Sequence, residues 1–374
     1  GTDRAAIEDI LQPGSLLKVG AARVACGGAV NNTGMGFRAL GLKVAFMALV
    51  GTDTLGQVVC SILARHGSSE GVRQTEKAAT SYTIVVAPPG IDRMFIHHPG
   101  TNDLFSADDI DYDIVARSRL FHLGYPPVMR ALYLDRGAEL IKIFRRAKEL
   151  GVTTSLDLAM ADRNSEAGRL DWRAVFAELL PYVDCILPSV EESFMFMFPE
   201  QYEALRESVR GELIEHIDTA TLRALAREFL DMGCGLCMLK AGHQGLYLRT
   251  GPAERISSFG RACPGAPADW ADKEFWCPAF MVESIVNTTG SGDVCIAGFL
   301  SGLLHGRTVR QCLKLGALSG CLALRSADVF SGLKSFAECE DILAKKSMGI
   351  RTLERELGPG WEWDSSDRIF HFEG

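Results

Sequence analysis

One stretch of the chain gathers residue types suited to handling anions. Val286-Asn287-Thr288-Thr289-Gly290-Ser291-Gly292-Asp293 is a polar, glycine-rich turn that runs into the apolar Val294-Cys295-Ile296-Ala297-Gly298-Phe299-Leu300. Gly290 and Gly292 have no Cβ to keep backbone N–H groups away from a bound anion. The helix predicted by the apolar segment adds unpaired donors and the positive end of its dipole, which together make a phosphate site. Asp293 falls in the first turn of that helix. A carboxylate there can take the proton of an attacking hydroxyl, the base that phosphoryl transfer requires. On spacing alone a second reading stands level with this one: Asp293 caps a helix and the glycines make a turn. Gly298 and Gly302, about one helical turn apart, are expected to let the helix press closely on a sheet.

A second glycine-rich stretch is Cys26-Gly27-Gly28-Ala29-Val30-Asn31-Asn32-Thr33-Gly34, followed by Leu40-Gly41, Val50-Gly51-Thr52-Asp53 and Gly56. It is not a Walker A loop, since the chain contains no Gly-Lys-Ser/Thr, and it is not a Gly-x-Gly-x-x-Gly turn. A double glycine with an Asn a few residues on can set N–H groups and an amide against sugar hydroxyls. Taken by itself, a strand-to-helix turn with an Asn cap explains it better. Other signals weigh less. Cys234-Gly235-Leu236-Cys237 has no second pair at metal spacing and sits in an apolar strand, so it reads as buried thiols. His97-His98 reads as strand surface, Met195-Phe196-Met197-Phe198 as core or interface filling, and Arg145-Arg146 as a solvated helix end. Arg93 reads equally as a phosphate-neutralising side chain or as half of a surface ion pair.

The elements that must position these residues follow from the hydrophobic pattern. Ser15–Cys26 reads as a pair of short strands, Asn32–Leu40 as a helix, Val44–Val50 as a strand and Gln57–His66 as a helix. Tyr82–Ala87 and Arg93–His98 flank a Pro88-Pro89-Gly90 turn and read as strands. From about residue 108 strands and helices alternate: Leu120–Leu123, Leu134–Leu150, Thr153–Leu158, Trp172–Leu180, Cys185–Leu187, Thr221–Met232 and Leu236–Leu239. That rhythm predicts a parallel sheet covered on both faces, with the two earlier β-rich patches standing outside it. Arg249–Phe275 reads as a long loop. The tail after Lys345 reads as polar and irregular, tied down by Trp361, Trp363, Phe370 and Phe372.

Composition removes several classes of function. Of 374 residues 47% are hydrophobic and 23% charged, which suits a globular chain with a large core and excludes a disordered or fibrous one. The 39 basic and 47 acidic residues leave a net charge of −8, without the footprint of a nucleic-acid or anionic-membrane binder. No apolar run approaches the ~18 residues of a membrane span. The odd count of 11 cysteines, mostly in apolar contexts, suits reduced thiols and a cytoplasmic location.

Together the two glycine-rich stretches resemble the signatures of the ribokinase-like carbohydrate kinases, the phosphofructokinase B family. Gly27-Gly28 to Asn32, Leu40-Gly41 and Gly51-x-Asp53-x-x-Gly56 are similar to the first signature. Asn287-Thr288-Thr289-Gly290-Ser291-Gly292-Asp293 is similar to the second, usually Asp-Thr-x-Gly-Ala-Gly-Asp. Asp92-Arg93, Pro99-Gly100-Thr101-Asn102 and the Lys240-Ala241-Gly242-His243-Gln244-Gly245 loop resemble intervening motifs, so the likeness runs over roughly residues 14 to 340. It implies a three-layer α/β/α sandwich with a mostly parallel central sheet and a small β lid. The core would comprise residues 27–78 and 101–345, the discontinuous lid 14–26 and 79–100, and the tail 346–374.

The implied activity is transfer of the γ-phosphoryl group of ATP to a sugar hydroxymethyl group. Asp293 would be the base and Gly290, Ser291 and Gly292 the anion hole. Gly28 and Asn32 would hold the sugar, and Lys240, Gly242, Gly245 and Thr289 the nucleotide. Glu192 would reach Mg²⁺ through water, with a monovalent cation nearby. An exposed lid edge would invite pairing with a second copy. Three departures qualify the likeness. Asn287 stands where the family has Asp, and Ser189 where it has the Asn of Asn-x-x-Glu. Members also open with an apolar strand ending in a sugar-binding Asp, and this sequence begins at Gly1, downstream of it. The natural chain is expected to carry that strand ahead of Gly1, because its loss would leave backbone groups unpaired. A nucleoside kinase on the same fold, or a non-catalytic sugar or nucleotide sensor, remains open as an alternative.

Overall fold

The computed structural model describes residues 14, 16, 18–66, 68–86 and 94–373. After the double glycine comes helix α1 (Gly28–Ala39), then strand β1 (Ala45–Gly51), helix α2 (Thr54–His66) and strand β2 (Ser68–Thr75). β1 and β2 pair in parallel as a sheet of their own. β3 (Tyr82–Val86) and β4 (Met94–His98) form a separate antiparallel ribbon. The main sheet starts at β5 (Leu120–Leu123) and is built up by α3 (Arg130–Glu149), β6 (Thr153–Leu156), α4 (Trp172–Leu179), β7 (Cys185–Ile186), α5 (Val190–Met197), α6 (Thr219–Asp231) and β8 (Leu236–Lys240). It continues through β9 (Leu246–Thr250) and β10 (Glu274–Cys277). Helices α7 (Ser291–Leu304) and α8 (Val309–Ala323) and the hairpin β11 (Trp361–Asp364) and β12 (Ile369–Phe372) complete it.

The main sheet has eight strands in the order β11-β12-β10-β9-β8-β7-β6-β5. β5 to β8 are parallel, joined by helical crossovers as the alternating pattern predicts. From β8 outward every pairing is antiparallel, so the expectation of a mostly parallel sheet gives way to a mixed one. The reason is local: the Gly242–Gln244 turn between β8 and β9 is far too short for a parallel crossover. Alternate residues of β8 supply opposite faces. Cys237 and Leu239 join one core layer with Phe144, Trp172 and Phe229, and Leu236 and Met238 join the other with Phe299 and Leu318. Each such fully buried large side chain contributes roughly 1.5–3 kcal/mol.

Other expectations change as well. The described residues of 14–26 form no strand and residues 18–25 are exposed, so of the two segments expected to make a lid only 79–100 carries strands among the described residues. The Leu134–Leu150 helix is broken at its start, where Asp135, Arg136 and Gly137 adopt positive φ. Arg249–Phe275 is not an open loop; it carries two short helices, buries Phe259 and Trp270 and ends in β10. The tail is a sheet hairpin whose Trp361 packs on Tyr247 and Phe372. Gly298 and Gly302 face α8 rather than the sheet. A Cβ on Gly298 would stand 2.5 Å from the Leu315 carbonyl oxygen, and one on Gly302 2.9 Å from Cys312 Sγ. On its other side α7 meets α1, where a Cβ on Gly36 would lie 2.8 Å from Ala297 Cβ. Among the described residues no helix is long and apolar enough to cross a membrane.

Candidate active site

The carboxyl ends of the parallel strands deliver one polar group each to the same edge of the sheet. Gly124 and Tyr125 follow β5, Asp157 follows β6, Ser189 follows β7, and Lys240 closes β8. This is the end at which open α/β sheets bind ligands. Helices α1 and α7 pack side by side through the Gly36–Ala297 contact, and toward their N-terminal ends Asn32 and Thr33 meet Asp293.

Asp293 is buried in the first turn of α7, with 4% of its surface exposed. Asn32 Nδ2 donates to its Oδ2 at 3.1 Å, and Thr33 Oγ1 donates to its Oδ1 at 3.1 Å. Tyr125 presents its hydroxyl to both oxygens, 2.6 Å from Oδ1 and 2.7 Å from Oδ2. Gly290 caps α7 with φ +78°, a left-handed turn that glycine adopts without strain. A Cβ on it would meet the Val329 methyls at 2.7 and 2.8 Å and Asn32 Nδ2 at 3.3 Å. Ser291 closes the turn by donating from Oγ to Thr288 O at 2.9 Å. Asn287 accepts from Thr289 N–H at 3.0 Å and donates from Nδ2 to Ala327 O at 3.2 Å. An Asp at this position could accept but not donate, so Asn287 ties the turn to the 327 loop in a way the family's usual residue cannot.

Lys240 runs past the same helix turn: a Cβ on Gly292 would stand 3.4 Å from its Cδ and 3.8 Å from its Nζ. Its ammonium bonds Asp157 Oδ1 at 2.6 Å, with the two side chains 12% and 2% exposed. Burial works against the ammonium, but Asp157, then Glu192 and Asp293, outweigh it and hold Lys240 firmly charged. Burial pushes the Asp157 carboxyl up and Lys240 opposes that push. Ser189 and Glu192 form a capping box on α5: Ser189 N–H donates to Glu192 Oε2 at 2.7 Å, and Glu192 N–H donates to Ser189 Oγ at 3.2 Å. Ser189 therefore still does the capping an Asn would do.

Of the residues singled out from the sequence, Asn32, Gly290, Ser291, Gly292, Asp293 and Lys240 come together. Glu192 stands close enough to act on Lys240 and Asp157 through charge. Gly28 opens α1 with φ +75°, and a Cβ there would meet nothing within 4 Å. Gly242 is likewise left-handed, φ +55°, with open space around it, as a backbone does where a ligand approaches. Gly245 serves the packing of β9 on β10 instead, since a Cβ on it would run into the carbonyl of Cys277. Thr289 lies on the exposed side of the turn. Asp53 and Gly56 are not at the site. Asp53 takes Gly56 N–H at 2.8 Å, Thr80 N–H at 2.8 Å and Thr80 Oγ1 at 2.7 Å, fixing the end of β1 to the root of the lid ribbon. Asp92 and Arg93 lie outside the described residues.

Three side chains that sequence reasoning passed over belong here: Tyr125, Asp157 and His122. His122 contacts Ser155 Oγ through Nδ1 at 3.0 Å, and its Nε2 has no partner among the described residues. Burial, then the Lys240 ammonium, push its pKa down to about 3, so it is a neutral imidazole at physiological pH. Their common signal was position at the carboxyl end of a predicted parallel strand. Cys234 and Cys237 are buried with thiols pushed up by burial, inert as expected. His97 bonds Thr83 Oγ1 at 2.8 Å on the ribbon.

Residues 2–334 match a sequence model described as pfkB family carbohydrate kinase. The chain is 25% identical over 283 residues to an uncharacterized sugar kinase of Archaeoglobus fulgidus, covering 75% of this chain and 91% of that one. It is 22% identical to a 5-dehydro-2-deoxygluconokinase of Clostridium perfringens, covering 86% of this chain and 84% of that one. Among solved structures, a Xylella fastidiosa fructokinase with bound ATP superposes with a TM-score of 0.64 at 17% identity, covering 86% and 91% of the two chains. A Thermotoga maritima ribokinase superposes with a TM-score of 0.63 at 19% identity, covering 89% and 92%. At these identities the structural likeness speaks for the fold.

Proposed function

We propose a reaction and a set of residue roles for this chain, which belongs to the pfkB family of carbohydrate kinases. It is an ATP-dependent sugar kinase. The γ-phosphoryl group of ATP passes to a sugar hydroxyl, whose proton goes to Asp293, and ADP leaves. The observation that carries the assignment is the position of Asp293: a buried carboxylate in the first turn of α7, beside a glycine-formed anion cradle and a fully charged lysine.

The roles follow from charge and reach. The first turn of α7, entered through Gly290, offers backbone donors to the transferring phosphoryl group. Lys240, kept charged by Asp157, neutralises charge on the phosphates. Gly242 leaves room for the nucleotide on the far side of Lys240. Gly28 and the amide of Asn32 face the sugar, with His122 Nε2 available for a further hydroxyl. Mg²⁺ would be carried by the triphosphate and reached from the protein by Glu192 through water, where it offsets phosphate charge. Among the described residues Lys240 and the helix start supply the positive charge, which suits a loose transition state that mainly needs positioning and neutralisation.

The β3–β4 ribbon covers the sugar side. Ile84, Val85, Phe95 and Ile96 on its two faces are each 50–57% exposed. A two-stranded ribbon is marginal alone. We assign one face to the bound sugar and the other to a second copy of the chain, which light scattering across a concentration series checks directly.

The test is ADP release from MgATP across a panel of free sugars, keto-deoxy sugar acids, sugar phosphates and nucleosides, with Asp293→Asn alongside. Turnover with one acceptor, lost in the variant, supports the reading. Turnover with nucleosides alone would favour a nucleoside kinase. ATP binding without turnover on any acceptor would favour a sensor.

A further inference from the structure

The hydroxyl of Tyr125 stands where the acceptor hydroxyl of a kinase substrate has to stand. A general base takes a proton from a hydroxyl about 2.6–3.2 Å away. Tyr125 Oη lies 2.6 and 2.7 Å from the two Asp293 oxygens, its single proton shared between them. The other donors on that carboxylate, Asn32 and Thr33, come from α1. Asn32, Thr33 and Tyr125 thus enclose Asp293, and of these only Tyr125 belongs to a loop.

That loop is built to hold the tyrosine there. Tyr125 has φ +68°, a conformation that a non-glycine residue keeps only when its surroundings over-determine it. Its N–H donates to Asp157 O at 3.2 Å and its carbonyl accepts from Val128 N–H at 3.1 Å. Buried Pro126 and Pro127 follow it. Gly124 before it is pressed on α1, where a Cβ would meet Ala29 Cβ at 2.4 Å. Burial, then the charges of Asp293 and Asp157, push the phenol well above its ordinary pKa, so it stays a neutral donor.

Resting on the kinase reading above, we infer that Tyr125 is a latch on the catalytic base: its hydroxyl occupies the acceptor position until the substrate hydroxyl displaces it. The backbone stays in place and the ring turns about its side-chain bonds. With the latch closed, water that enters beside bound ATP finds both oxygens of Asp293 already occupied, and the nucleotide is not hydrolysed. An acceptor gains access by replacing one hydrogen bond with an equivalent one while adding its own contacts to Asn32 and Gly28.

The experiment compares wild type, Tyr125→Phe, Asp293→Asn and the double variant, with MgATP alone and then with the acceptor that wild type phosphorylates. Tyr125→Phe removes one oxygen and keeps the ring, and a melting curve within a few degrees of wild type certifies its fold. The latch predicts that acceptor-free ATP hydrolysis rises about tenfold in Tyr125→Phe, the effect of one charge-assisted hydrogen bond. The acceptor KM should fall several-fold while kcat stays within about twofold. The double variant should lose the added hydrolysis. Hydrolysis that does not rise, or a kcat that falls with KM unchanged, would overturn the latch and make Tyr125 a group needed during transfer. Added hydrolysis that survives in the double variant would overturn it too, because the water would not be using Asp293. Failure of the kinase reading looks different: wild type would transfer to no acceptor, or Asp293→Asn would transfer as well as wild type.

Discussion

Two buried carboxylates sit at opposite ends of the parallel strands, and the protein treats them differently. Asp184 precedes β7, at the amino end. It is fully buried and receives Lys148 at 2.8 Å, Arg255 at 2.7 Å and Thr154 N–H at 2.9 Å. Asp157 follows β6, at the carboxyl end, and its one salt bridge among the described residues is to Lys240 at 2.6 Å. Burial pushes both carboxyls up, against two opposing cations at Asp184 and one at Asp157. One end of the sheet is closed by a saturated network that stitches α3, β6 and the segment after β9 together. At the other, Asp157 has one cation and His122 Nε2 has no partner among the described residues, beside a helix start of the kind that attracts anions. Where polarity is fully answered from within it serves the fold, and where it is under-answered it waits for a ligand.

The sharpest test of that division is Asp293→Asn, which should lower kcat by about a thousandfold while costing at most about 1–3 kcal/mol of stability, because the amide keeps one oxygen for the donors of Asn32, Thr33 and Tyr125. Steady-state ADP release checks the first part and urea titration the second. Asp184→Ala should do the reverse. Leaving Lys148 and Arg255 without their anion should cost about 3–5 kcal/mol of stability, with the activity of the folded fraction unchanged. If it abolished activity in protein still folded, the two ends would not be separable.

Lys240→Met should be intermediate, lowering kcat/KM for ATP by roughly a hundredfold, since a cation facing phosphate is lost. Its stability cost should be smaller than that of Asp184→Ala, because Asp157 can take up a proton. Gly242→Ala should raise the ATP KM by about fivefold with acceptor KM unchanged, from a side chain in the open space and a strained positive φ.

The smallest effect concerns Asp53, whose carboxyl the Thr80 hydroxyl, then the Gly56 N–H, hold below the usual carboxylate range. A lowered folded pKa gives stability that is present above the unfolded value of about 3.9 and lost as pH falls through the folded one. Hydrogen-exchange protection factors at residues 51–56 and 79–81, corrected for the intrinsic pH dependence of amide exchange, should therefore be flat from about pH 8 to 5 and fall below about pH 4, before the β5–β8 core responds.

Legibility in the sequence followed chain distance. The glycine-rich turn and the aspartate in the helix it opens were readable because Gly290, Ser291, Gly292 and Asp293 are neighbours and a helix start is a local feature. Asn32 was readable through the glycines before it. Tyr125 and Asp157 were not: Tyr125 bonds a residue 168 positions away and Asp157 one 83 away. In the sequence Tyr125 is an ordinary polar residue after a short apolar run, and Asp157 one after two threonines, a serine and a leucine. The lid was over-read in residues 14–26, whose loose alternation looked like strands. The tail was under-read, because a four-residue strand of aromatics carries little pattern.

By itself the sequence determined the character of single segments: which glycine-rich turn opens a helix, which helix carries the carboxylate, and where strands and helices alternate. Those properties depend on Cβ atoms, dipoles and periodicity acting over a few residues. Only the tertiary structure decided the rest: that the sheet turns antiparallel after β8, that Lys240 meets Asp157 beside Gly292, and that a tyrosine hydroxyl rests on Asp293. Each of these depends on the order in which strands lie side by side, set by packing across the whole core.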